Sequence, residues 1–179
     1  SIPYFKAASG DSKVPAPVHL CLGQALQWTG SLDEALLHLK QYTALKPDSF
    51  EGFAALAEIY SWKKDYPQSI DMYKKALKLK NDFTLRKQLA DVYAWSGEFQ
   101  RAETLYRSLI LEKPADPQLY PAITELLNGM KKSKEALAFV QKGMELSPGR
   151  AMTLLYAETL YYAGDFRAAQ QILESVLKN

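Results

Sequence analysis

Apolar residues recur along this chain at the i, i+3, i+4, i+7 spacing that lines one face of an α-helix. Within one stretch Leu56 and Tyr60 stand four residues apart, and Tyr66 and Tyr73 stand seven apart. The alternation expected of strands does not take over anywhere, so the pattern predicts an all-α chain of short helices. Laid over the helical period is a longer one. Trp28, Trp62 and Trp95 are spaced by 34 and 33 residues. Aligning on them brings Leu32-Asp33-Glu34-Ala35, Tyr66-Pro67-Gln68-Ser69 and Phe99-Gln100-Arg101-Ala102 into register. Weaker copies follow at Ile123-Thr124 to Ala136 and at Tyr156-Ala157 to Phe166-Arg167-Ala168-Ala169. A fixed period of that length marks a stack of like units, each burying its apolar face against the next.

Punctuation supports two helices per unit. Gly30, Gly97 and Gly164 fall between the half-units, where a left-handed turn residue costs glycine little. Ser31, Asp65 and Asp165 precede second helices as candidate N-caps. Asp116-Pro117 reads as an N-cap followed by a proline in the first helical position.

The repeat resembles the tetratricopeptide repeat, a helix-turn-helix unit of about 34 residues. Counting from Ala16, Phe50, Phe83, Pro117 and Arg150, the family's small residue at position 8 is Gly23, Ala57, Ala90, Thr124 and Ala157. Position 20 is Ala35, Ser69, Ala102, Ala136 and Ala169, and Pro47, Pro114 and Pro148 close three units at position 32. Departures are His19, Arg86 and Thr153 at position 4, Gly143 at position 27, and Asn81 in place of one closing proline. The resemblance implies a right-handed α-solenoid of antiparallel helix pairs. Its repeats are expected at 16–49, 50–82, 83–116, 117–149 and 150–179. Residues 1–15 are expected to hold the second helix of an earlier partial repeat plus a linker. A chain that starts and stops in mid-repeat is expected to be a piece of a longer array, able to self-associate through its uncapped ends.

Composition narrows the chemistry. The chain carries 22 Lys and Arg against 20 Asp and Glu, a net charge of +2, which gives no concentrated basic face for nucleic acid. One cysteine, Cys21, leaves no disulfide framework. No apolar run of about 18 residues offers a membrane span. His19 and His38 form no metal-binding or nucleophile motif, and Cys21 lies two residues from His19, on another side of a helix. Phosphate-binding loops and hydrolase elbows are missing too. The expectation is a non-catalytic protein with no cofactor and no metal, acting through a binding surface.

In tetratricopeptide arrays the first helices line a concave groove, and the resemblance places ligand contacts at positions 2, 5, 9, 12 and 13. Here those positions supply Gln24, Gln27, Trp28, Glu58, Ser61, Trp62, Lys87, Asp91, Trp95, Glu125, Asn128, Glu158, Tyr161 and Tyr162. Two columns emerge, one aromatic and interrupted at Gly129, the other mostly acidic. The indoles read either as filler between repeats or as a stacking platform flanked by carboxylates. An acidic column argues against the carboxylate clamp that some members use on chaperone tails. Lys63, Lys64, Lys74, Lys75, Lys78 and Lys80 gather on the second repeat, as expected of a solvated outer face.

The segments Tyr93-Ala94-Trp95-Ser96-Gly97-Glu98-Phe99 and Leu26-Gln27-Trp28-Thr29-Gly30 are also similar to the periplasmic repeat arrays of bacterial outer-membrane exopolysaccharide export proteins. That resemblance implies a periplasmic scaffold that binds a polymer-modifying enzyme, guides a cationic or neutral polysaccharide, or does both. The alternative is a general peptide- or protein-binding scaffold, in the periplasm or the cytoplasm.

Overall fold

The computed structural model describes residues 14–178. The expected partial repeat at the start of the chain lies outside the described residues. Ten α-helices and no strands are found among them. They are α1 (Ala16–Trp28), α2 (Leu32–Leu45), α3 (Phe50–Trp62), α4 (Tyr66–Leu79), α5 (Phe83–Trp95), α6 (Phe99–Glu112), α7 (Leu119–Gly129), α8 (Ser133–Leu146), α9 (Arg150–Ala163) and α10 (Phe166–Lys178). The chain divides into two compact units at Ser96/Gly97, inside the turn of the third repeat rather than between repeats. The first unit holds α1 to α5 and the second α6 to α10.

In the first unit each helix packs on its chain neighbour, and α1 also meets α3. Small residues make the approach possible. Gly23 and Ala35 are buried where α1 crosses α2, and a Cβ built on Gly23 would stand 2.7 Å from Cγ of Leu39. In the second repeat Ala57 and Ser69 hold the same positions, and the Ser69 hydroxyl donates to the Ala57 carbonyl at 2.8 Å, so the small polar residue is fully satisfied. Leu22, Leu39, Leu56, Ile59, Tyr73, Leu89 and Val92 fill the core around these crossings. Each such side chain contributes roughly 1.5–3 kcal/mol by burial.

The second unit repeats the plan. Neighbouring helices pack in sequence and α7 meets α9. Val140, Met152 and Leu155 form a core cluster with Met144 and Tyr156 against it. The departure at Gly143 has a steric reason, because a Cβ there would lie 2.5 Å from Cε of Met152 and 2.9 Å from Cβ of Tyr120. Across α6, α8 and the turn before α8, Glu103 accepts from Lys132 at 2.8 Å and from Arg107 at 2.9 Å, and Arg107 also pairs with Glu135. Lys132 and Arg107 hold the Glu103 carboxyl below the usual carboxylate range, against the opposing pull of partial burial.

The turns agree with the sequence in most places. Gly30, Gly97 and Gly164 all have φ between +80° and +90°. In the second and fourth repeats the equivalent residues are Lys64 and Lys131, at φ of 60° and 59°, so two lysines carry the left-handed conformation at a cost of about 1 kcal/mol each. Asp65 caps α4 through Gln68 N and Asp165 caps α10 through Ala168 N. Ser31 makes no capping hydrogen bond. Asp116 accepts from Gln118 N at 3.0 Å, but α7 starts only at Leu119, two residues beyond the proline expected to open it. No helix among the described residues is long and apolar enough to cross a membrane.

Candidate functional site

The residues singled out in the sequence lie on α1, α3 and α5 of the first unit and on α7 and α9 of the second. Trp28, Trp62 and Trp95 are the last residues of their helices, and they are 84%, 50% and 59% exposed. None of the three indoles is a buried core side chain, although Trp62 keeps half of its surface covered. A helix end explains the exposure, since the chain turns away immediately after each indole and no following turn of helix covers it.

Beside the indoles, the first unit spends its polar groups internally. The carboxylate of Glu58 accepts from Gln27 Nε2 at 3.2 Å and from Gln88 Nε2 at 2.8 Å, linking α1, α3 and α5. Gln27 and Ser61, both expected to face a ligand, are 5% and 8% exposed. Gln27 is committed to Glu58, while the Ser61 hydroxyl donates to the Glu58 carbonyl at 2.7 Å. Asp91 pairs with Lys87 one turn earlier on α5 at 3.2 Å. Gln24 is exposed. Behind this row, the phenol of Tyr73 is pushed well above its ordinary range, first by burial and then by the carboxylates of Glu58 and Asp91. Gln88, at repeat position 6, escaped the sequence reading because only the crossing of α3 and α5 reveals its partner.

The second unit differs. Glu125, Asn128, Gly129, Lys131, Leu155, Glu158 and Tyr162 line a cavity of about 470 Å3 between α7, its following turn and α9. Glu158 accepts from the Tyr162 hydroxyl, which raises that phenol above its ordinary range. Glu125 reaches solvent, yet the protein around it removes enough water that burial raises its carboxyl, with the negative charge of Glu158 adding to the effect. Asn128 donates from Nδ2 to Thr159 Oγ1 at 2.9 Å, while its Oδ1 is buried without a donor. Tyr161 and Tyr162 are exposed and meet edge to face at 5.7 Å, and Tyr161 meets Phe166 similarly at 5.3 Å.

Elsewhere the chemistry is sparse. His19 and His38 are buried with their Nδ1 atoms 3.2 Å apart, packing α1 against α2, while Cys21 is exposed on another side of α1. Among the described residues no group of three His, Cys, Asp or Glu could hold a metal ion. The lysines of the second repeat are exposed and partly paired, Lys75 with Asp71 and Lys63 with Asp33. Lys80 sits 4.3 Å from the ring centroid of Phe50.

Comparison with known proteins agrees with this architecture. The family model described as tetratricopeptide repeat matches residues 53–87. No curated protein matches the chain in sequence. Among solved structures, YrrB, described as a TPR protein with an unusual peptide-binding site, aligns at a TM-score of 0.76 and 19% identity over 99% of this chain and 93% of its own. MamA from Desulfovibrio magneticus RS-1 aligns at 0.83 and 19% identity over 91% and 93%. A tetratricopeptide repeat protein from Parabacteroides merdae aligns at 0.83 and 17% identity over 91% of this chain and 66% of its own. The chain therefore has the tetratricopeptide-repeat fold, an α-solenoid architecture of helix pairs, with the family's repeat matched at residues 53–87.

Proposed function

We propose that this chain is a non-catalytic scaffold whose first-helix faces hold a segment of a partner protein. The observation that carries the reading is the exposure of Trp28, Trp62 and Trp95 at one repeat position. Three large apolar rings left in water at the period of the fold are hard to explain by packing, and tryptophan is the side chain most enriched at binding hot spots. The likeness in fold to a TPR protein with a peptide-binding site supports it.

A narrower form assigns the chain to the periplasm, as the repeat region of an outer-membrane exopolysaccharide export protein that binds a polymer-modifying enzyme or guides the polymer. Its support is the resemblance of the Tyr93–Phe99 and Leu26–Gly30 segments, together with indoles whose flat faces suit sugar rings.

Titration of the intrinsic tryptophan fluorescence with a candidate partner protein, with neutral and cationic oligosaccharides, and with each in a Trp62→Ala/Trp95→Ala variant tests both forms. A partner that shifts the emission and loses at least about 30-fold in affinity in the variant supports the scaffold reading. Response to oligosaccharides adds the narrower form. No shift with any ligand and an unchanged partner affinity in the variant overturn the reading.

A further inference from the structure

The second helix of a repeat offers one face to the first helix of the next. In the second unit Val140 and Met144 of α8 form one apolar cluster with Met152, Leu155 and Tyr156 of α9, and Gly143 lies directly against Met152. In the first unit Tyr42 and Thr43 of α2 close on Gly52 of α3 in the same way. These residues hold repeat positions 24, 27 and 28 on the second helix and 3, 6 and 7 on the following first helix. The cover is tight, since position 24 is Leu39, Tyr73, Tyr106 and Val140, none more than 2% exposed. On α10 the same three positions are Leu173, Val176 and Leu177, and there Leu173 is 43% and Leu177 82% exposed. Phe166 at the start of α10 and Tyr161 on α9 extend this face, both exposed and in ring contact.

A helix that caps a solenoid presents a polar outer face, and α10 presents leucines instead. The interfaces already built into the fold select the occupant. Four times, with α2 on α3, α4 on α5, α6 on α7 and α8 on α9, a second helix receives a helix. The received helix is apolar at i, i+4 and i+7, as buried Leu85, Leu89 and Val92 show on α5 and buried Leu119, Ile123 and Leu126 on α7. A helix satisfies its own backbone hydrogen bonds, whereas an extended peptide would lay unpaired N–H and C=O groups on leucine side chains. A sugar would bring hydroxyls that this face cannot pair. A second copy of the chain suits it less, because the residues of this pattern on α3, α5 and α7 are already buried within their own chain, and Leu22 on α1 is fully covered.

We propose that the outer face of α10 docks an amphipathic helix of a partner protein. The incoming helix is apolar at i, i+4 and i+7, and it sits on Leu173, Val176 and Leu177 in the place that a first helix takes on each preceding second helix. The proposal rests on the scaffold reading for the partner's being a protein, and it uses none of the indoles.

The test is an NMR titration of the 15N-labelled chain with a capped synthetic peptide of the α5 sequence, Phe83–Trp95. A lactam between its Lys87 and Asp91 side chains, which lie on the helix side away from Leu85, Leu89 and Val92, holds so short a helix together. The peptide is expected to shift the amide resonances of Leu173, Val176 and Leu177 saturably. Leu177→Glu in the chain, or Leu89→Glu in the peptide, is expected to weaken binding about tenfold or more. Leu177 is exposed enough for the variant to fold, and unperturbed resonances of Val140 and Leu155 verify it. No saturable shift on α10, or affinity indifferent to both substitutions, overturns the proposal. So do concentration-dependent shifts of the same amides without peptide together with a doubled mass in sedimentation, because a second copy would then hold this face. Trp62 and Trp95 lie in the other unit, and the Trp62→Ala/Trp95→Ala variant is expected to bind the peptide as wild type does. Failure on α10 therefore leaves the tryptophan result standing, and failure at the tryptophans leaves this face measurable on its own.

Discussion

The two compact units carry the same repeat and solve the same electrostatic problem in opposite ways. In the first, Glu58 sits on α3 between Gln27 of α1 and Gln88 of α5, and its carboxylate is bonded on both oxygens. In the second, Glu125 and Glu158 occupy the equivalent position on α7 and α9 with no such brackets, and burial, with the charge of Glu158 added, drives the Glu125 carboxyl upward. One face is an internal polar ladder flanked by exposed indoles. The other is an open acidic cavity flanked by tyrosines. Position within a repeat therefore does not by itself decide whether a carboxylate is structural or available, because residues on the adjoining helices decide it.

The largest effect should come from breaking the ladder. Glu58→Ala strands the amide of Gln27, which is buried, and that of Gln88, and is expected to destabilise the first unit by about 2 kcal/mol in urea denaturation. A loss below about 0.5 kcal/mol would mean the ladder is incidental and the contrast between the units fails.

Next in size is the ion-pair network of the second unit, which shows that this unit does pair its charges away from the cavity. Glu103→Gln removes the acceptor shared by Lys132 and Arg107 and should cost about 1 kcal/mol at neutral pH. The sign follows from linkage. Glu103 titrates lower in the folded chain than in the unfolded one, so its contribution is present above the ordinary carboxylate pKa and disappears as pH falls through the lowered value. Denaturation of wild type and variant at neutral and strongly acid pH checks it, and the two should converge in acid.

A smaller effect is expected at the indoles. Because Trp62 and Trp95 are at least half exposed, their replacement by alanine should change stability by no more than about 0.5 kcal/mol each, while the emission spectrum loses their contribution. A cost of several kcal/mol would return the indoles to the core.

The smallest effect has the opposite sign. Glu125→Gln removes a partly desolvated charge and its repulsion by Glu158 rather than a bond, and should stabilise the second unit by about a few tenths of a kcal/mol at neutral pH. The folded chain holds the Glu125 proton more tightly than the unfolded chain does. Its favourable contribution is therefore present at acid pH and is lost as pH rises through the raised value, so the variant's advantage should vanish in acid.

Much of this fold is legible in the chain, and for a physical reason. Gly23, Ala57, Thr124 and Ala157, with their partners twelve residues away, report helix crossings that are local in sequence. Gly30, Gly97 and Gly164 report a turn conformation that few other residues adopt cheaply. Lys64 and Lys131 hold the same left-handed conformation without the residue type that advertises it. The start of α7 is also displaced, because Asp116 spends its carboxylate on a turn at Gln118 instead of on the helix.

The candidate site is less legible. The tryptophan column can be read from spacing, but whether it is covered depends on each indole ending its helix. Gln27 and Ser61 sit at groove positions and turn out to be buried polar ties. The bonds from Gln27 to Glu58 and from Gln88 to Glu58 span 31 and 30 residues, and their existence depends on how successive first helices cross. No local pattern encodes that angle.

What separates the second unit from the first is that the Glu125 carboxyl bears the cost of burial and of the Glu158 charge with no donor from a neighbouring helix to offset it. Site-resolved 13C NMR titration of the Glu125 side-chain carboxyl tests it directly, in the wild-type chain and in Glu158→Gln. The wild-type midpoint is expected above the ordinary carboxylate range and to move down when Glu158 loses its charge. A midpoint at or below that range, or one indifferent to Glu158→Gln, would contradict it.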